Sequence, residues 1–481
     1  MLNNFGTYEI NKISGDAQLG SEMINFVVMK RILSLIALLA CFCGSASAQP
    51  LSFKGSEGAS VGIYIAEIGS RKIVADYNSA RTFIPASVTK CVTAASAMLT
   101  LSPEFRFRTE VRAYGAVRSG VLHGNVVIIG GGDPTIGSRH FANRPSFAGE
   151  FVKWLKSAGI DSIAGSVLVS EGGYPEIGVS PYWLLEDTPW EYGAGYYGLN
   201  YRDNSFAMTV STSGIVSMTP RIESLSVELD LSKSPAGEVT AMRGEGSDLL
   251  YLYGAMSGAT YGSRYSIPRP SEVLLDDVFA AMSRGGIGCS EDDVTADRDA
   301  GITPMVYSSP TAPDILRSMM EKSNNLFAES MLRAQAIGKG VKLTDNESLK
   351  LQRKLLEGRG HDFATIRILD GCGLAPGNKI TPRFLGGILE DMASGSHSKG
   401  YVGLYPLAGK EGTVRGLLAN TRLAGKLALK SGSMSGVLCY AGYKIDANHK
   451  PTHVVVIMVN GFVGKGAPVR KAIADYLLKK F

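Results

Sequence analysis

Phe83-Ile84-Pro85-Ala86-Ser87-Val88-Thr89-Lys90 leads into Cys91-Val92-Thr93-Ala94-Ala95-Ser96-Ala97-Met98-Leu99, and this run organises the reading of the whole chain. After Pro85 the apolar residues Val88, Cys91, Val92, Ala95, Met98 and Leu99 recur at helical spacing. Pro103 predicts the stop. Ser87 then falls in the first turn and Lys90 one turn on, three residues apart and so neighbours on one face. A serine there lies where the helix's N-terminal partial positive charge favours an alkoxide-like oxygen. A lysine beside it takes the proton only when neutral, which burial or a nearby cation brings about. A lone SxxK is more often a surface lysine beside a capping serine. Ser396-His397-Ser398-Lys399, in a Gly-flanked loop, is read that way.

Two further motifs change the weight of the first. Ser323-Asn324-Asn325 sits inside a helical pattern spanning Pro313–Ile337, where Ser and Asn are poor helix formers. Lys430-Ser431-Gly432-Ser433 follows a strand-like segment, Leu427–Lys430, and precedes another at Val437–Ile445. SxxK, S-x-N and K-[ST]-G in that order form a signature of serine enzymes acting on β-lactams and D-Ala-D-Ala peptides. Each is weak alone; together and in order they are strong.

Outward from these motifs the chain alternates between layers. Residues 60–68 and Ile73–Tyr77 read as a hairpin around a basic turn. A Gly-rich β region follows, with Val126–Ile129 running into Gly130-Gly131-Gly132-Asp133-Pro134. A helix is predicted near Phe147–Ala158, a strand near Ser166–Ser170, and short strands with Ser/Gly turns over 209–265. Helical patterns return at Ser271–Arg284 and Pro313–Ile337. Strand patterns at Leu427–Lys430, Val437–Ile445 and His453–Val459 precede a final helix, Ala467–Lys480. This order predicts one α/β domain split by inserted domains.

The chain from about Phe53 to Phe481 resembles the class C low-molecular-mass penicillin-binding proteins, the D-Ala-D-Ala carboxypeptidase/endopeptidase family. Beyond the three motifs, the resemblance rests on Gly130–Thr135, Tyr197-Gly198-Leu199-Asn200, Glu321–Arg333, Asp370-Gly371-Cys372-Gly373-Leu374 and Pro406-Leu407-Ala408-Gly409. The wide interval between Ser87 and Ser323 matches that family's large insertion. The resemblance implies a multi-domain α/β fold: a transpeptidase-type domain, an antiparallel sheet flanked by helices, interrupted by two smaller β-rich domains. The implied partition is 49–105 plus 301–481 for the catalytic domain, 106–208 plus 266–300 for inserted domain II, and 209–265 for an all-β domain III. The implied roles are Ser87 as nucleophile, Lys90 as its base, and Ser323 as proton relay to the leaving D-Ala nitrogen. Lys430 supplies positive charge, Asn325 holds the substrate amide carbonyl, and Ser431, Gly432 and Ser433 form the strand that binds the terminal carboxylate. Backbone N–H groups of Ser87 and Ser433 would form the oxyanion hole. The implied partners are peptidoglycan stem peptides ending in D-Ala-D-Ala, with β-lactams as inhibitors. Two departures stand out: Ser431 replaces the family's usual Thr, and Cys372 the usual Ser, which puts any hydroxyl contact from that loop in doubt.

Composition excludes other classes. With 49 Lys+Arg against 44 Asp+Glu, the charge of +5 over 481 residues is too dilute for a nucleic-acid partner. Hydrophobic residues at 45% and charged residues at 19% exclude a largely disordered chain. Lys30-Arg31, the apolar run Ile32–Phe42 and Ala46-Ser47-Ala48 before Gln49 read as a signal peptide over 29–48, with 1–28 an upstream extension. That run is shorter than the ~20 residues a bilayer span needs. Leu38-Leu39-Ala40 before Cys41 gives the competing lipoprotein reading. The expected location is the periplasm or cell envelope, soluble or peripherally membrane-attached.

Cys91, Cys289, Cys372 and Cys439 lack zinc spacing, and the six histidines contain no HExxH, so neither a metal nor a cofactor is expected. Gly58-Ala59-Ser60-Val61-Gly62 precedes a strand and is no nucleophile elbow. A β-lactamase or an esterase of the same fold remains as an alternative, and so does a cell-wall binding protein with a dead site. Ser-Asn-Asn in place of Tyr-x-Asn, and the lack of Glu-x-x-Leu-Asn, weigh against the lactamase.

Overall fold

The run expected as the first strand forms β1 (Ser60–Glu67), and the basic turn returns the chain into β2 (Ile73–Tyr77). The computed structural model describes residues 53–481 apart from 291, 293 and 295–297, so the expected signal segment and Cys41 lie outside the described residues. Val61 to Ala66 are buried on both faces of β1, as a central strand covered by helices on either side requires. A 3-10 turn, Ala86–Val88, then feeds α1 (Thr89–Thr100), which stops ahead of Pro103. Nine of its twelve residues are buried, and Ala94, Ala95 and Ala97 let neighbours approach closely. A helix wrapped on all sides is a core helix.

The insertion begins with β3 (Arg108–Arg118) and β4 (Val121–Ile129), then α2 (Phe147–Ser157), β5 (Ser162–Ile163) and β6 (Val167–Ser170). Six strands follow: β7 (Ser205–Ser211), β8 (Gly214–Thr219), β9 (Ser226–Lys233), β10 (Val239–Met242), β11 (Leu249–Met256) and β12 (Tyr261–Ser266). They form two three-stranded sheets, ordered β12-β7-β8 and β10-β11-β9. After α3 (Pro270–Arg284), β13 (Gly288–Cys289) and β14 (Met305–Ser308) rejoin β3, β4, β5 and β6 in one sheet. β14 pairs with β3, so 305–308 belongs with the insertion's sheet, and the small β sheets begin at Ser205. Val111, Ile128 and Phe151 share one core with Phe206, Leu252 and Tyr265, so both parts of the insertion bury apolar surface together.

The single helical pattern expected over Pro313–Ile337 is two helices, α4 (Ala312–Lys322) and α5 (Asn325–Ala334). Ser323 takes a left-handed conformation (φ 58°), and Asn324 caps the next helix by accepting from Phe327 N at 3.0 Å. Ser and Asn are at home in such a joint and costly inside a helix. Two further helices, α6 (Asp345–Glu357) and α7 (Pro382–Ser394), and the short α8 (Ser398–Val402) complete the layer around α1. The chain ends in β15 (Leu427–Met434), β16 (Val437–Ile445), β17 (Pro451–Asn460) and α9 (Gly466–Lys480).

These last strands join the first two in a five-stranded antiparallel sheet, ordered β15-β16-β17-β1-β2. β1 pairs with β17 from Ser60–Asn460 to Glu67–His453, which joins the first and last strands of the described residues in one sheet. α7 packs against β17 and β1, and α9 against β16. Among the described residues no helix is long and apolar enough to cross a membrane. Cys91, Cys372 and Cys439 are free thiols.

Candidate active site

The turn before α1 is built around two glycines. Ala86 has φ 48°, and its carbonyl accepts from Thr89 Oγ1 at 2.9 Å. Gly373 (φ +85°) passes so close that an added Cβ would lie 1.9 Å from the Ala86 oxygen. Gly432 on β15 faces the other side, where a Cβ would sit 2.7 Å from the Pro85 oxygen and 2.9 Å from Ser87 N. Only glycine permits either approach. The sheet edge and the 370–375 loop therefore close on Ser87 from two directions.

Lys90 and Lys430 are fully buried, at 0% exposure. Lys90 Nζ lies 3.0 Å from Ser87 Oγ, 2.6 Å from Asn325 Oδ1 and 2.8 Å from the Cys372 carbonyl. Lys430 Nζ donates to Ser323 Oγ at 2.9 Å and to the Ser431 carbonyl at 2.6 Å. Burial lowers Lys90 from its ordinary value, opposed by the charges of Asp370 and Glu329. Lys430 is pushed well below its ordinary value, first by burial and then by the charge on Lys90. Of the two causes the sequence offers for a neutral Lys90, burial or a nearby cation, burial is the leading one.

Ser87, Ser323, Asn325 and Ser433 line one cleft of about 520 Å³, shared with Tyr192 and Leu374. The two lysines reach it through the serines they bond. Gly432 backs onto the Ser87 turn, and Ser431 Oγ is 2.6 Å from Thr413 Oγ1. The second SxxK lies elsewhere, with Ser396, Ser398 and Lys399 lining a separate cavity beside Tyr405 and His449.

Several contacts come from residues that carry no sequence signal of their own. Asn325 Nδ2 donates to the Tyr192 carbonyl at 2.7 Å, a backbone contact from the insertion. Trp183, also from the insertion, donates through Nε1 to Asp370 Oδ2 at 2.9 Å. The Cys372 contact with Lys90 is made by its backbone carbonyl, so the Ser-to-Cys departure leaves that contact unchanged. The motif Asp370–Leu374 was the available signal, read for a side chain when the main chain does the bonding.

The site brings one buried amine to the Ser87 hydroxyl and a second to the Ser323 hydroxyl, and both serines line one cleft. Comparisons with known proteins bear on the fold and the family. The D-alanyl-D-alanine carboxypeptidase DacB of Haemophilus influenzae is 23% identical over 479 residues, covering 90% of this chain and 94% of that one. The crystal structure of penicillin-binding protein 4 from the same organism superposes with a TM-score of 0.74 at 21% identity, covering 88% of this chain and 96% of that one. A second structure of that protein, complexed with a β-lactam, gives 0.70 at 22% identity, over 88% and 96% of the two chains. The model of the D-Ala-D-Ala carboxypeptidase 3 (S13) family matches residues 50–479, and this chain belongs to that family.

Proposed function

We propose that the chain is an exported serine D-Ala-D-Ala carboxypeptidase/endopeptidase that trims stem peptides and cross-links through a Ser87 acyl-enzyme. The observation that carries this reading is the hydrogen-bond count at Lys90. A neutral amine has two N–H groups and one lone pair. In the neutral form Asn325 Oδ1 and the Cys372 carbonyl, which can only accept, would take the two N–H groups, and the lone pair would face the Ser87 hydroxyl 3.0 Å away; in the charged form the third N–H donates to Ser87. Burial favours that neutral form.

Ser87 Oγ attacks the carbonyl carbon of the penultimate D-Ala while its proton passes to Lys90. The tetrahedral oxyanion is held by backbone N–H groups of Ser87 and Ser433, a contribution of ~3–4 kcal/mol per donor in such sites. The C–N bond then breaks as Ser323, held by Lys430, relays a proton to the leaving nitrogen and is reprotonated by the one Lys90 took from Ser87. Asn325 orients the acyl-side carbonyl, and Ser431 with Ser433 binds the terminal carboxylate along β15. Water attacks the ester and Ser87 is released. A β-lactam enters the same path, and its leaving group stays tethered, which supports its action as an inhibitor. The β-lactam complex of the H. influenzae protein supports this.

The catalytic layer in this reading comprises 49–105 with the C-terminal part of the chain, and the insertion walls one side of the cleft. The mature chain begins at Gln49 in the periplasm or cell envelope. N-terminal sequencing of exported protein checks the start, and a diacylated Cys41 would replace it. The activity is tested with purified muropeptides read by mass spectrometry alongside fluorescent penicillin. Release of D-Ala and labelling of the wild type, both absent in Ser87→Ala, are expected. Rapid nitrocefin turnover without D-Ala release would sink the reading.

A further inference from the structure

Between α1 and α5 the loop 370–375 is held by two buried carboxylates. Asp370, at 0% exposure, accepts four hydrogen bonds from N–H groups and a fifth, at 3.7 Å, from Cys372 Sγ. Gly373 N (2.8 Å) and Asn378 Nδ2 (2.9 Å) donate to Oδ1; Ala375 N (2.6 Å) and Trp183 Nε1 (2.9 Å) donate to Oδ2. Glu329, on α5 and 1% exposed, accepts from Gly371 N at 2.9 Å and Cys372 N at 2.8 Å on a single oxygen. Arg333 Nη1 approaches its other oxygen at 3.3 Å. From α1, Thr93 Oγ1 donates to the Gly371 carbonyl at 2.7 Å.

Buried carboxylates are costly and are kept only where hydrogen bonds offset the lost hydration. Glu329, Asp370 and Cys372 bring their donor atoms within 4.8 Å of one another, the spacing of a metal site. The carboxylate oxygens, however, are already taken up by N–H donors, and burial pushes the Cys372 thiol well above its usual range, so it stays protonated. The cluster is organised to hold main chain, and what it holds in place is the Cys372 carbonyl, 2.8 Å from Lys90 Nζ.

We propose that Glu329 and Asp370 are positioning residues of the acylation step, acting through the 371–375 backbone to hold the Cys372 carbonyl against the Lys90 amine. This rests on the reading of Lys90 as the base. With that carbonyl fixed, one N–H of the amine is committed and the lone pair is turned toward Ser87. Their charges act on Lys90 as well. The titratable groups around it are Cys91 on its own helix, Glu329 on α5, Asp370 and Cys372 on the loop, and Lys430 on β15. Glu329 and Asp370 favour its protonated form and so limit how far burial lowers it.

The test is the rate of acylation by fluorescent penicillin against pH, for wild type, Ser87→Ala and Glu329→Gln, with folding followed by circular dichroism. Glu329→Gln keeps an oxygen facing the two amides and removes one negative charge. The expected result is a maximal rate lowered on the order of ten- to a hundredfold, as misplacement of a reacting group produces. Its acid-side midpoint should move to lower pH by roughly one unit. A purely structural group would lower the rate and leave the midpoint in place, and that result overturns the proposal. So does a folded variant with wild-type rate. Should Glu329→Gln fail to fold, Glu329→Asp retains the charge and withdraws it from the loop. Its midpoint should stay at the wild-type value while its rate falls, and an unchanged rate overturns the proposal. A wild type that is not acylated at Ser87 would instead remove the underlying reading of the site.

Discussion

Replacing Lys90 by Arg retains a positive charge and removes the lone pair, because guanidinium does not deprotonate in proteins. Lys90→Arg should therefore lose acylation by labelled penicillin by ~10²–10⁴-fold or more, the contribution of a positioned base. Lys430→Arg should lose less, since that position supplies charge to Ser323 and need not accept a proton. A folded Lys90→Arg enzyme with near wild-type acylation would eliminate Lys90 as the base. The pH dependence has a fixed sign. Lys90 works when neutral, so acylation rises with pH, and because burial lowers Lys90 the rise is complete below the range of a free lysine. A profile still climbing at the ordinary lysine value would show that Lys90 is charged in the free enzyme.

Elements matter here through the places where they end or touch. Ser323 stands at the joint of α4 and α5 with φ 58°, a conformation glycine adopts freely. Ser323→Gly should keep the joint and remove only the hydroxyl held by Lys430. The expected outcome is an unaltered thermal melt with acylation and D-Ala release much reduced. Equal activity would show that the leaving nitrogen is protonated by another route. Gly432→Ala tests the contact between β15 and the Ser87 turn. Its Cβ would meet backbone atoms of Pro85, Ser87 and Val88 at 2.7–3.0 Å, and backbone cannot swing aside as a flexible side chain can. The strand must move out, so acylation should fall on the order of a hundredfold with the substrate strand displaced. Wild-type kinetics in this variant would mean that the close approach is not needed.

At the scale of the whole molecule, the insertion and the catalytic layer are joined at the active site. Trp183 and Tyr196, from the insertion, are buried in the same core as α1, α4 and α5. Trp183→Phe keeps most of the apolar contact but leaves Asp370 short of one donor. Removing a hydrogen bond to a charged group costs about 1.5–3 kcal/mol. Chemical denaturation should show a loss of that size, and an unchanged midpoint would detach the insertion from the site energetically. The first and last strands of the described residues meet in the same way, through the pairing of β1 with β17, so the catalytic layer forms only when distant segments are both present.

The sequence alone determined the parts whose signal is local. The α1 periodicity, the hairpin, the terminal strands and the ordered motifs at Ser87, Ser323 and Lys430 are patterns of side-chain identity at short spacing, and the structure follows them closely. The helix break at Ser323 is the exception: the pattern reads as one helix over Pro313–Ile337, although Ser and Asn favour caps and turns. The tertiary structure alone decided what depends on main-chain groups and on burial. The Tyr192 and Cys372 carbonyls, which hold Asn325 and Lys90, carry no residue-specific signal because any residue has a carbonyl. Glu329 and Asp370 lie in segments that carry the family resemblance but have no role of their own in the sequence reading, and only folding places them in the core, where their hydrogen bonds fix a loop. The state of Lys90 likewise follows from desolvation, a property of everything packed around it and of no single position in the chain.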